Sequence, residues 1–94
     1  MEIRFAILYH PSVPNKDLPA LSQKDKMRIR SAIEQKLMTE PEIFGVPLRQ
    51  SLKGHRKLRV GDYRIVFRME KKVVYVIAIL HRSIVYGEIG KRIS

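Results

Sequence analysis

The chain has 94 residues, 45% of them hydrophobic, and 19 Lys and Arg stand against 9 Asp and Glu for a formal charge of +10. That length supports one modest core, so a single domain over residues 1–94 is expected, and the charge favours an anionic partner, above all a polyphosphate. The absence of cysteine excludes a disulfide framework, a thiolate metal site and a cysteine nucleophile.

Ile3, Phe5 and Ile7 alternate with Glu2, Arg4 and Ala6, which predicts a first strand over about residues 2–8. This opening lacks the apolar stretch of a signal peptide. The longest apolar run, Val73 to Leu80, is too short to cross a bilayer, so a cytoplasmic protein without a membrane partner is expected. Pro11, Pro14 and Pro19 limit the next segment to a short helix within 15–21, with Asn15 as a possible cap. Ser22 and Asp25 then head a longer helix over 22–39, because Ser-x-x-Asp resembles a capping box and Met27, Ile29, Ala32, Ile33 and Leu37 recur at helical spacing. Its remaining positions, including Lys24, Lys26, Arg28, Arg30, Glu34 and Lys36, read as a solvated outer face. Residues 40–47 read as a loop and 48–54 as irregular or briefly extended.

From His55 to Arg68 the sequence reads as a β-hairpin about Gly61-Asp62, a two-residue turn of the Gly-X type. In that register Val60 opposes Tyr63, Leu58 opposes Ile65 and Arg56 opposes Phe67, while Arg59 faces Arg64, Lys57 faces Val66 and His55 faces Arg68. One face is mostly core and the other is a cationic plate. Like charges directly opposed are unfavourable, and an anionic ligand would account for Arg59 beside Arg64; the plain alternative is a strand face kept soluble by charge. After a polar turn at 70–72, Val73 to Leu80 is apolar and β-branched enough for a central strand covered on both faces, and 88–93 suits a short basic helix. The order is a strand, two helices and a three-stranded antiparallel meander: an α+β domain with helices packed on one sheet face.

Metal chemistry has little support, since His10, His55 and His81 are dispersed without carboxylate pairs, and no cofactor is expected. Ser83, His81 and Asp62 lack the surroundings of a nucleophile elbow. What remains is an acid/base and cation set: His55, Lys57, Arg59, Arg64, Arg68, His81, Arg82 and Tyr86. Such a set suits metal-free phosphodiester cleavage in RNA, in which a 2′-hydroxyl attacks its own phosphate, arginines stabilise the developing charge and the 5′-oxygen leaves with a proton. Taken singly, Tyr86 also reads as a packing residue and His81 as a strand end. His55, Arg56 and Arg68 on the hairpin, with Lys91 and Arg92 near the C-terminus, are expected to bind RNA.

The runs Ile33-Glu34-x-Lys36-Leu37, Pro47-Leu48-Arg49-x-Ser51-Leu52-Lys53-Gly54, Leu58-Arg59-Val60-Gly61-Asp62-Tyr63-Arg64 and His81-Arg82-x-x-Val85-Tyr86 resemble the RelE/ParE superfamily of toxins from toxin–antitoxin systems. The likeness extends over nearly the whole chain. RelE-type members cleave mRNA in the ribosomal A site, and ParE-type members share the fold but poison DNA gyrase. The RelE-type catalytic set matches Lys57 and Arg59 before the turn, Arg64 after it, Arg82 after the central strand and Tyr86 near the C-terminus; the role of His81 stays open. The resemblance implies a metal-free, ribosome-dependent endoribonuclease held inactive by an acidic antitoxin, with ribosome and mRNA as its other partners. Arg64 and Arg82 would bind the scissile phosphate, Tyr86 or Lys57 would be the base, and Arg59 or His81 would assist the leaving oxygen. The alternatives are a gyrase inhibitor without nuclease activity and a non-catalytic basic RNA-binding module.

Overall fold

A computed structural model describes residues 4–93 as a five-stranded sheet in the order β1-β5-β4-β3-β2. The strands are β1 (Ala6–Tyr9), β2 (Val46–Pro47), β3 (Arg56–Val60), β4 (Tyr63–Glu70) and β5 (Val73–His81). Glu2 and Ile3, expected in the first strand, lie outside the described residues. The later start of β1 follows from its pairing, which is parallel to β5 and begins at Ala6 opposite Val73.

The β3–β4 register is the expected one from Arg56↔Phe67 to Val60↔Tyr63, and Gly61 adopts a φ of +59° in the turn. A glycine meets that left-handed conformation without the steric penalty of a Cβ. The ladder stops at Arg56, so His55 is not paired with Arg68 as expected; its carbonyl instead accepts from the Leu48 amide. β5 is an interior strand, between β1 and β4. A bulge interrupts its pairing with β4: Val66 pairs with Ala78 but Phe67 with Val76, leaving Ile77 as the extra residue.

Helix α1 (Gln23–Ala32) continues into a wider π-helical turn, Ile33–Leu37, and the side chain of Ser22 accepts from the Asp25 amide at 3.1 Å, as the capping pattern predicts. Ile29, Ile33 and Leu37 pack against Leu58, Ile65, Phe67, Val74, Val76 and Ile79. Met27 departs from the predicted stripe and is 64% exposed. Before α1, Val13–Asp17 and Leu18–Ala20 form a short helical segment that starts earlier than expected. Asn15 therefore lies inside a turn rather than capping it, and Pro14 occupies a first-turn position where no amide donor is needed.

A four-residue helix, α2 (Pro41–Phe44), and the short strand β2 occupy what reads as a loop, and 50–52 form one helical turn. The C-terminal helix, α3 (Val85–Ile93), packs on the opposite sheet face. There Val85 and Ile89 cover Val66 and Ala78, flanked by Leu48, Leu52 and Leu80. The mixed α+β class stands, with helices on both faces instead of one. The reason is that Val66 and Ala78 give the cationic side of the sheet an apolar middle, and α3 buries it. Among the described residues, no helix is long and apolar enough to cross a membrane.

Candidate functional site

The second residue of α3 is Tyr86, and the docking of Val85 and Ile89 carries its ring to the rim of the cationic face. Lys57 stands on that face by strand parity, opposite Val66. Its ammonium donates to the Tyr86 hydroxyl at 3.0 Å and lies 5.6 Å from the ring centroid. Residues 29 positions apart thus form one solvent-accessible lysine–tyrosine hydrogen bond.

Arginines surround the turn beside this pair. Arg64 donates through Nη1 to the carbonyls of Gly61 at 3.0 Å and Tyr63 at 2.9 Å, which holds the guanidinium at the hairpin tip. Arg82 is fixed through its backbone, whose amide donates to the Asp62 carbonyl at 2.8 Å, and its Nε lies 3.7 Å from the Asp62 carboxylate. That ion pair is exposed on both sides and leaves the guanidinium able to exchange partners. The side chain of Arg59, directly across from Arg64, is exposed and makes no hydrogen bond or ion pair with the described residues. The result is a shallow cationic surface with a lysine–tyrosine pair at its edge. It can attract a phosphodiester, neutralise charge on its oxygens and exchange a proton with a hydroxyl beside it.

The other expected site residues distribute differently. His81 pairs with Tyr63 in the β4–β5 ladder and therefore shares the face opposite Arg59 and Arg64. Its ring meets that of Tyr63 edge-on at 5.7 Å, and its Nδ1 accepts from the Ser83 amide at 3.1 Å. An accepting Nδ1 in a neutral ring places the proton on Nε2. This register sets the His81 side chain on the sheet face opposite Lys57, apart from the Lys57–Tyr86 contact.

The expectation for Arg92 is corrected. Its side chain is only 4% exposed, and it forms two 2.7 Å bonds to the buried carboxylate of Asp17. The hydrogen bond to Asp17 raises the guanidinium above its ordinary pKa, against the opposing effect of burial. A group so enclosed has no surface to offer RNA. Arg56 shares the face of Leu58 and donates to the carbonyls of Gly45 at 3.1 Å and Glu42 at 3.4 Å, so it braces α2 and its exit. Arg68 stacks 4.2 Å from the Tyr75 centroid and pairs with Glu70 at 3.1 Å, further along β4 from Lys57. His55 Nδ1 is buried without a hydrogen-bond partner, and Lys91 is exposed with Glu88 at 3.9 Å. Among the described residues, no three His, Asp or Glu side chains form a metal-binding group.

Asp17 escaped sequence reasoning. β1 accompanies β5 only as far as Val76, and beyond that point Asp17 accepts from the Ile79 amide at 2.9 Å while Arg92 donates to the Ile77 carbonyl at 3.0 Å. Two side chains thus replace a missing strand neighbour and tie α3 to the N-terminal segment. No local pattern around Asp17 announces a partner 75 residues away.

Comparison with known proteins fits this architecture. The family described as the ParE toxin of type II toxin-antitoxin system, parDE, matches residues 8–86. No curated protein sequence matches the chain at a significant level. In structure the chain is similar to the RelBE2 toxin–antitoxin complex of Mycobacterium tuberculosis, with 24% identity, a TM-score of 0.77 and coverage of 85% of this chain and 100% of the other. The RelB–RelE complex of Methanococcus jannaschii gives 20% identity, a TM-score of 0.67 and coverage of 86% and 96%. The RelE–RelB complex of Pyrococcus horikoshii gives 22% identity, a TM-score of 0.64 and coverage of 85% and 97%. With most of its length matched by the family and its fold shared with RelE structures, the chain belongs to the RelE/ParE superfamily of type II toxin–antitoxin toxins.

Proposed function

We propose that this toxin is a ribosome-dependent, metal-free endoribonuclease. The observation that carries the reading is the 3.0 Å bond between Lys57 Nζ and the Tyr86 hydroxyl at the edge of the arginine-rich surface. In the proposed reaction the Lys57–Tyr86 pair, carrying one proton fewer than a Lys57 ammonium and a Tyr86 hydroxyl together, takes the proton of a 2′-hydroxyl. The O2′–P bond then forms, the P–O5′ bond breaks, and the 5′-oxygen leaves with a proton from water, giving a 2′,3′-cyclic phosphate and a 5′-hydroxyl. Arg64 and Arg82 neutralise the charge that builds on the phosphoryl oxygens, and Arg59 stands toward the leaving group. The Arg64 guanidinium would exchange the turn carbonyls for phosphate, a stronger charge-assisted acceptor.

The shape of the surface supports the proposed dependence on the ribosome. Among the described residues, Tyr86 is the aromatic ring that meets Lys57, and free RNA held by a few exposed cations binds weakly and without specificity. An acidic antitoxin is the expected inhibitor, since the solved relatives above are toxin–antitoxin complexes and this chain carries +10. The gyrase-directed reading draws support from the family match, which is to a ParE toxin. Induction in cells, with mRNA integrity and supercoiling followed together, separates the two. Message cut in ribosome-bound form and spared when free supports the nuclease, whereas growth arrest with intact message and inhibited gyrase would move the protein to the ParE type.

A further inference from the structure

A groove of about 520 Å³ runs between α1 and the β3–β4 turn, and Arg28, Lys36 and Arg59 line it together with Ser31, Gln35 and Gly61. Its lining contains three cations and neither an acid nor an aromatic ring. The Arg28 side chain, like that of Arg59, makes no hydrogen bond or ion pair with the described residues. The Arg28 guanidinium lies over the hairpin turn, where a Cβ added at Gly61 would fall 2.9 Å from both Nη1 and Nη2. What reads from sequence as a solvated helix face is here one wall of a basic channel.

Arg59 connects this channel to the Lys57–Tyr86 surface. Strand parity sets it opposite Arg64, but β2 pairs with β3 only at Arg56 and Lys57, so at Arg59 the strand is an edge and the residue also lines the groove on the helix side. Anionic ligand held by Arg64 therefore has a cationic path around the hairpin tip. Guanidinium forks with a nearby hydroxyl and amide suit phosphate oxygens, and a groove without aromatic rings offers the bases no stacking platform. The apolar lining, Met27, Ala32 and Val60, is interspersed with Ser31, Gln35 and the cations and forms no deep pocket of the kind that anchors a protein partner.

We infer that this groove binds successive backbone phosphates of a single RNA strand leaving the Lys57–Arg64–Tyr86 surface, without regard to base sequence. The inference rests on the nucleic-acid reading of that surface. Its test is a titration of the full chain with a single-stranded 2′-O-methyl RNA, which cannot be cut by 2′-hydroxyl attack, at increasing salt. Each phosphate contact on a single strand contributes about 0.7 to the slope of log K against log salt, so Arg28→Ala with Lys36→Ala should lower that slope by about 1.4. Should the double variant melt early, Lys36→Ala alone, whose ammonium sits 5.5 Å from the Phe44 ring centroid, should lower it by about 0.7. An unchanged slope in a folded variant, or a parent protein that does not bind the oligonucleotide at low salt, overturns the inference. So does an unchanged RNA slope accompanied by weaker antitoxin binding, which would assign the groove to the protein partner. Because the probe reports binding alone, a parent toxin that spares ribosome-bound message but loses slope on mutation sinks the nuclease reading and leaves the groove standing. An active nuclease with an unchanged slope does the reverse.

Discussion

Arg64 has two competing uses for one guanidinium. In the free protein it braces the carbonyls of Gly61 and Tyr63, and in the proposed complex it turns to phosphate. Its carbonyl bonds lie at a half-exposed hairpin tip, so Arg64→Ala should cost no more than about 1 kcal/mol of stability, reduced further by relief of the repulsion with Arg59. Cleavage of ribosome-bound message should fall about 10²-fold, as when one positioned transition-state donor is removed. Tyr86→Phe keeps the ring near the Lys57 ammonium and deletes only the hydroxyl, so a loss of similar size is expected with unchanged melting. Growth arrest on induction, paired with primer extension on ribosomal mRNA, reads both variants. Full toxicity from a folded Arg64→Ala protein would refute the assignment.

Among the elements, the position of Tyr86 depends on how α3 is held. Val85 and Ile89 bury one side of the helix, and the Arg92–Asp17 pair fastens its far end to the backbone of β5. Breaking a buried pair from one side undercompensates the other charge, at a cost of about 3–5 kcal/mol, and Arg92 would keep only the longer contact of its Nε with Glu88 at 3.6 Å. Asp17→Asn should therefore lower the melting temperature by at least about 12 °C in a chain of this size. Adding Arg92→Met should recover part of that loss, because the undercompensated cation is then gone and the introduced carboxamide still has an oxygen for the Ile79 amide. Differential scanning calorimetry of the single and double variants decides this: equal melting of both would show that the charge at Arg92 is not what the pair stabilises. The pair should also resist salt, unlike the exposed Arg82–Asp62 contact.

For the molecule taken together, the decisive quantity is the charge of +10 and where the fold collects it. An acidic antitoxin segment should associate more weakly as salt rises, mainly through slower association, because long-range attraction is screened over about 10 Å at 0.1 M. Surface plasmon resonance across ionic strength measures this, and an association rate indifferent to salt would count against an electrostatic partner. Under the proposed nuclease reading, the same charge would bring the small shallow site to a polyanion, and the ribosome would supply the alignment.

Elements whose signals are local were legible in the chain before it was folded. Period-two alternation about Gly61-Asp62 set the β3–β4 register, Ser22 and Asp25 marked the head of α1, and the β-branched run from Val73 identified the interior strand. Lys57, Arg59 and Arg64 could be assigned to one face for the same reason, since a side chain's face in a hairpin follows from counting residues. Contacts between distant segments governed the rest: the parallel seat of β1 beside β5, the docking of α3 over Val66 and Ala78, and the meeting of Lys57 with Tyr86. Arg92 could not be told from an RNA-facing residue for that reason. A basic residue looks the same in sequence whether it faces RNA or a buried carboxylate, and the difference lies in the burial and partner that the folded chain brings to it.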